Sequence, residues 1–255
     1  MASISNPSEE DAWLRARVAD AYHLCERRSY PRFVGFLDEH RQAVVRAVLR
    51  EKGSEQTLFF GGYEDAERVM FGVFPSFTQA DPALFPIAAL RFSYRESAAL
   101  THRDFLGTLL ANGIKRDAIG DILCEQGQAV VLVAEEVAPF IAEQVRKVGG
   151  EGVRVEYPYT GEIRAHREFR EFGDTVASPR LDAVVKAAVR ISREEAARRI
   201  EAGLVSLNHM PCENVSATVN EGDVLSVRGG GRFVVDTLGP QTKKGRLIIR
   251  MRQYV

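Results

Sequence analysis

Runs of apolar residues long enough to cross a bilayer are missing from this 255-residue chain; none approaches the roughly 20 residues that a membrane helix needs. The opening segment "MASISNPSEEDAWLRARVAD" has no apolar signal region and turns acidic and helical, so a cytoplasmic protein is expected. Cysteine is scarce. Cys25, Cys124 and Cys212 are odd in number and far apart, which excludes a disulfide framework and a paired zinc knuckle. Glycines occur in "GEGV" and "RGGGR", but neither follows a strand and opens a helix in the six-residue dinucleotide fingerprint. No cofactor and no metal are therefore expected.

A strong overall charge is lacking too, since the net is −1. The distribution says more. Residues 180–255 carry 13 Lys and Arg against 8 Asp and Glu, a net of +5, and the remainder carries 21 against 27, a net of −6. Such asymmetry points the C-terminal part at a polyanion. With 45% hydrophobic and 27% charged residues, the chain can form one large domain or two to three small ones.

Residues 8–29 read as an amphipathic helix with Leu14, Val18, Tyr22 and Cys25 on one face. Pro31 interrupts it, and "DEHRQAVVRAVLREKG" fits a second helix ending at Gly53. A strand "TLFFGG", a helical turn "YEDAERV" and a strand "MFGVF" follow, then a proline-rich loop over 75–87. This N-terminal helical α/β region is placed at 1–80. From 81 to 158 the order becomes strand "IAALRFSY", helix "THRDFLGTLLANG", strands "AIGDILC" and "AVVLVAE", helix "EVAPFIAEQVRKVGG" and strand "GVRVEY". That order is the ferredoxin-like split pattern shared by RNA-recognition modules. The third strand lacks their basic-aromatic signature. Phe92 and Tyr94 on the first strand are read as core. Polar residues 159–178 read as a connector, with a boundary near 178.

The segment 179–255 reads as two small helices on a twisted sheet. "RLDAVVKAAVR" buries Leu181, Val184, Val185 and Ala188 and sets Lys186 and Arg190 one turn apart on the opposite face. Asp182 is read as pairing with Lys186 at i, i+4. The second helix runs from Ser192 to Gly203, with Ser192 and Glu195 spaced as a capping box. Strands "LVSLNH", "SATV", "VLSVR", "RFVVDTL" and "RLIIRMRQ" follow, the last two joined by "TKKGRL". The fold class is α+β throughout.

These residues carry a resemblance. "RLDAVV…ISREEAARRIEAGLVSLN…EGDVLSVRGGGRF" is similar to the RNA-binding domain named after small-subunit ribosomal protein S-four, the αL motif. "THRDFLGTLLANGIKRDAIGDIL" and "GGYEDAER" resemble the bacterial YlmH-like proteins, which carry this domain behind an RNA-recognition-like one. The family usually has Asn-Gly where this chain has Asn208-His209-Met210, so a tighter or differently bulged turn is expected there. The resemblance implies a protein that binds ribosomal RNA and tRNA on the large ribosomal subunit and supports the tailing of stalled nascent chains in ribosome-associated quality control. A link to cell division has also been attached to the family.

Arg193 poses a specific problem, because a cation at the first helical position opposes the helix dipole. A phosphate held on the helix N-terminus would resolve it, as would an acid from elsewhere in the chain. On the phosphate reading, Arg193→Glu leaves stability unchanged or slightly raised. The expected RNA contacts are Arg180, Lys186, Arg190, Ser192, Arg193, Arg198, Lys243, Lys244 and Arg246. Arg103, Lys115 and Arg116 are expected as a secondary contact with RNA or a partner, and the acidic N-terminal helices are open to protein partners. Enzymes that carry S-four domains are the competing class. The synthetase signatures His-Ile-Gly-His and Lys-Met-Ser-Lys-Ser are absent, and no catalytic domain follows Asp182, so a non-enzyme is expected. The alternative is an RNA-modifying enzyme or its accessory subunit, with 85–157 as the working domain.

Overall fold

A computed structural model describes residues 7–52, 56–164, 169–243 and 245–254. Contacts divide the chain into two compact units, Met1–Ala165 and His166–Val255. The first two expected regions thus share one unit.

The first unit begins with α1 (Pro7–Arg28), β1 (Arg32–Leu37), α2 (Glu39–Lys52), β2 (Thr57–Phe60) and β3 (Val69–Val73). The strand β1 lies between the two expected helices, where the sequence pattern predicts no strand. It pairs with β3, which also takes β2, giving an antiparallel sheet of order β1-β3-β2. Every residue of β3 is buried. Its alternating side chains serve two cores. Phe71 and Val73 join Leu14, Val18 and Val44 from the helices, whereas Met70 joins Phe36, Phe85 and Leu132. Leu132 lies on the second sheet of this unit, so one hydrophobic cluster ties the two expected regions together.

That second sheet comprises β4 (Ile87–Ser93), α3 (His102–Ala111), β5 (Ile119–Glu125), β6 (Gln128–Ala134), α4 (Ala138–Gln144), the short hairpin β7 (Lys147–Val148) and β8 (Glu151–Gly152), and β9 (Arg154–Glu156). The order β5-β6-β4-β9, antiparallel throughout, is the ferredoxin-like arrangement. Phe92 is fully buried and packs edge-on against Phe105 at 5.3 Å, and the Tyr94 hydroxyl lies 2.8 Å from the Glu125 carbonyl oxygen, to which it donates. This sheet offers no stacking platform from those two rings. The helix α4 is shorter than expected, because Gly149 and Gly150 take positive φ and turn the chain into the β7–β8 hairpin.

The expected helical turn over "YEDAERV" is not helical. The Asp121 carboxylate on β5 accepts from the Glu67 N–H at 2.7 Å, the Arg68 N–H at 2.9 Å and the Tyr63 hydroxyl at 2.6 Å, so these donors leave any local helix. The Arg68 guanidinium is buried and donates to the carbonyls of Ile119, Phe36 and Arg116.

The second unit holds β10 (Phe169–Val176), α5 (Leu181–Val189), α6 (Arg193–Glu201), β11 (Val205–Leu207), β12 (Met210–Pro211), β13 (Val224–Val227), β14 (Gly231–Gln241) and β15 (Leu247–Tyr254). Its six-stranded antiparallel sheet has the order β10-β15-β14-β13-β11-β12. The stretch 159–178, read as a connector, therefore contains an edge strand with seven of its eight residues outside the core. One-sided exposure makes such a strand polar enough to pass for a loop. "SATV" forms only an isolated bridge, Thr218 to Arg180. Its neighbours serve α5 instead, where the Leu181 and Asp182 N–H groups donate to the Ala217 and Val215 carbonyls. The core joins Leu181, Val184 and Val185 of α5, Ala196 and Ile200 of α6, and Leu225, Phe233 and Ile249 of the sheet.

Candidate RNA interface

The start of α5 carries a buried carboxylate. Asp182 keeps only 7% of its side chain exposed and does not pair with Lys186, contrary to expectation. Its oxygens accept from Arg180 Nε at 3.2 Å and Nη2 at 3.1 Å, and from Arg193 Nε at 3.1 Å and Nη2 at 3.3 Å. The dipole problem at Arg193 is thus met by an acid within the chain. Both guanidinium groups still reach solvent, with 39% of the Arg180 and 53% of the Arg193 side chain exposed. A guanidinium has five N–H donors, so each keeps several for an external anion while its plane is fixed by Asp182. The clamp is a preorganised pair of cations.

Burial alone would raise the Asp182 carboxyl, but the hydrogen bonds and positive charges of Arg180 and Arg193 outweigh it and hold the group below the usual carboxylate range. A depressed native value stabilises above the unfolded pKa, and that stability is lost as pH falls through the native one. The stability gap between wild type and Asp182→Asn is therefore expected to be full at neutral pH and to shrink with acidification below the ordinary carboxylate range. Urea titrations of both proteins across acidic pH check this; a gap that grows on acidification contradicts it.

Elsewhere in the two-helix face, Lys186 is exposed on α5. Arg190 does not share its helix face as expected, because it caps α5 in the left-handed conformation at φ 55°. Ser192 caps α6, its hydroxyl oxygen accepting from the Glu195 N–H at 3.1 Å. The capping box is half formed, because the Glu195 carboxylate is held by Arg198 at 2.8 Å and Arg199 at 3.0 Å. In the β14–β15 turn Lys243 is exposed, and Lys244 lies outside the described residues. Arg246 is tied inward, donating to the Thr175 hydroxyl at 2.9 Å and to the Thr175 carbonyl. The turn at Asn208 and His209 has φ 50° and 66°, and it joins β11 to β12 with Leu207 opposite Met210.

In the first unit, Arg103 and Lys115 are exposed at either end of α3. Arg116 is half-buried and donates to the Ile119 carbonyl at 2.9 Å, so its guanidinium is committed to the fold. The Thr101 N–H and hydroxyl both donate to Asp104, which fixes the start of α3. Among the described residues no cluster of three His, Cys, Asp or Glu side chains is placed to hold a metal, and no helix is long and apolar enough to cross a membrane.

Two short helices with a cationic start, packed on an antiparallel sheet, define an S4-type RNA-binding unit behind a ferredoxin-like one. Residues 179–225 match the S4 domain family, and residues 82–161 match the RNA-binding domain of YlmH. The chain is 33% identical over 215 residues, 83% of its own length and 82% of the relative's, to ribosome-associated protein quality control protein P2 of Bacillus subtilis strain 168. It belongs to the YlmH family. A solved structure, cell division protein ylmH from Streptococcus pneumoniae, shares the fold with a TM-score of 0.50 and 22% identity, covering 60% of this chain and 93% of that one.

Proposed function

We propose that this protein binds the large ribosomal subunit and its tRNA in the cytoplasm, without catalysis, in the quality control of stalled nascent chains. The second unit would make the principal contact, through Arg180 and Arg193 with Lys186, Arg190, Ser192 and Arg198 beside them and Lys243 and Lys244 at the far turn. The observation that carries this reading is the Asp182 clamp, which holds two exposed guanidinium groups at a helix start. The +5 balance of residues 180–255 and the name of the Bacillus relative agree with it.

Residues 166–255 are expected to bind structured RNA, and residues 1–165 to bind it far more weakly. The cut belongs at 165/166, since a fragment starting at 176 would discard β10 and bare the edge of β15 that it covers. Affinity of the second fragment falls steeply with salt, because released counterions drive phosphate binding. Filter binding at two salt concentrations, with ribosome co-sedimentation of the full chain, checks both points. Equal affinity of the two fragments contradicts the assignment.

A further inference from the structure

Around the α5–α6 turn the second unit has a cavity of about 370 Å³, within the range of about 300–1,000 Å³ typical of ligand sites. Three cations from three elements line it: Arg170 on β10, Arg190 at the end of α5 and Arg199 on α6. Arg199 pairs with Glu195 at 3.0 Å, a carboxylate it shares with Arg198. The guanidinium groups of Arg170 and Arg190 have no ion-pair partner among the described residues, and no acidic residue among those described lines the cavity. The other walls are Phe172, Val189, Ile191 and the Gln253 amide.

The placement of both free cations is unusual. Arg170 and Phe172 lie two apart on β10 and so share a face. On that face Phe172 packs edge-on against the buried Phe233 at 5.9 Å, while Arg170 itself stays exposed. Arg190 occupies a left-handed cap where glycine is favoured. Two uncompensated cations in one concavity repel each other, and an entering anion removes that repulsion. Beside them stand an aromatic ring and aliphatic side chains able to cover a flat apolar body, and an amide able to read a polar edge.

We infer that this cavity takes one unstacked nucleotide of a bound RNA. Its phosphate would sit on Arg170 and Arg190, its base against Phe172 and the Val189–Ile191 wall, and its polar edge on Gln253. The inference rests on the RNA-binding reading above and extends it beyond the matched S4 segment, because Arg170, Phe172 and Gln253 all lie outside 179–225.

The test uses the full chain and three RNA hairpins with one stem: fully paired, carrying a single bulged adenosine, and carrying an abasic site at the bulge. Fluorescence anisotropy at fixed salt is expected to show about tenfold preference for the bulged adenosine over the other two. Arg170→Gln and Arg190→Gly are each expected to bring that ratio to within about twofold. The ratio is the readout, because both arginines also add to the general attraction for phosphate. Glycine suits the left-handed cap, so Arg190→Gly keeps the fold, which thermal melting verifies. Equal affinity of the wild type for paired and bulged hairpins overturns the inference alone. So does equal affinity for the abasic bulge, which would mean that the site reads phosphate only, or a preference that survives both substitutions. Failure to bind any hairpin overturns the RNA-binding reading and this inference with it.

Discussion

Replacing Asp121 with Ala is expected to destabilise the first unit by about 3–5 kcal/mol, the range for removing one partner from a buried charged network. Three donors lose their acceptor at once: the Tyr63 hydroxyl and the N–H groups of Glu67 and Arg68. The buried Arg68 guanidinium also loses a neighbouring negative charge. Burial and the nearby Arg116 already push Arg68 down to about 10, and it remains charged at neutral pH. That cation would then keep Asp38 as its one remaining acidic neighbour among the described residues, beside the cluster of Phe36, Met70 and Leu132 that joins the two sheets. Asp121→Asn keeps an acceptor oxygen and is expected to fall between Ala and wild type. Trp13, the single tryptophan, lies on α1 of the same unit, so its fluorescence in a urea titration reports this unfolding. A loss below about 1 kcal/mol for Ala would show that solvent satisfies those groups.

Asp121 also marks where reading along the chain stops working. In "AIGDILC" it is one polar residue in an apolar strand, and its strand was legible from that pattern. Its partners are 53 to 58 residues away, beyond the reach of any local period. The helical reading of "YEDAERV" failed for the same reason, since the competing acceptor is remote. Where signals are local the reading succeeded. Gly113 at φ 83° ends the region of α3, and the strand–helix alternation over 87–156 placed the ferredoxin-like order. Edge strands are the weak case. With β10 facing solvent on most of its length, no alternation of apolar residues distinguishes it from a loop.

Arg193 was legible as an anomaly, though the residue that answers it was not. Asp182 lies 11 residues earlier, across the α5–α6 turn, and its spacing from Lys186 suggested a different pair. The structure reverses the expectation that Arg193→Glu is neutral or stabilising. Removing Arg193 takes two hydrogen bonds from a carboxylate that is 7% exposed, and the new Glu adds a like charge beside it. Arg180 remains, and Arg193 is half exposed, so the loss is smaller than for a wholly buried pair, about 2–3 kcal/mol. Relief of the dipole conflict returns about 0.3–1 kcal/mol, leaving a net destabilisation of about 1–3 kcal/mol. RNA affinity is expected to fall as well, because the clamp loses one of its two cations and gains a carboxylate. Arg193→Lys separates the two roles. Lysine restores the charge without the two-pronged contact, so stability recovers in part while the fixed guanidinium plane is lost. Hydrogen exchange at the start of α6 and ribosome co-sedimentation, measured on the same preparations, read fold and binding independently. Full binding by the Glu variant would leave Asp182 and Arg193 a structural pair and move the RNA contact elsewhere on the unit.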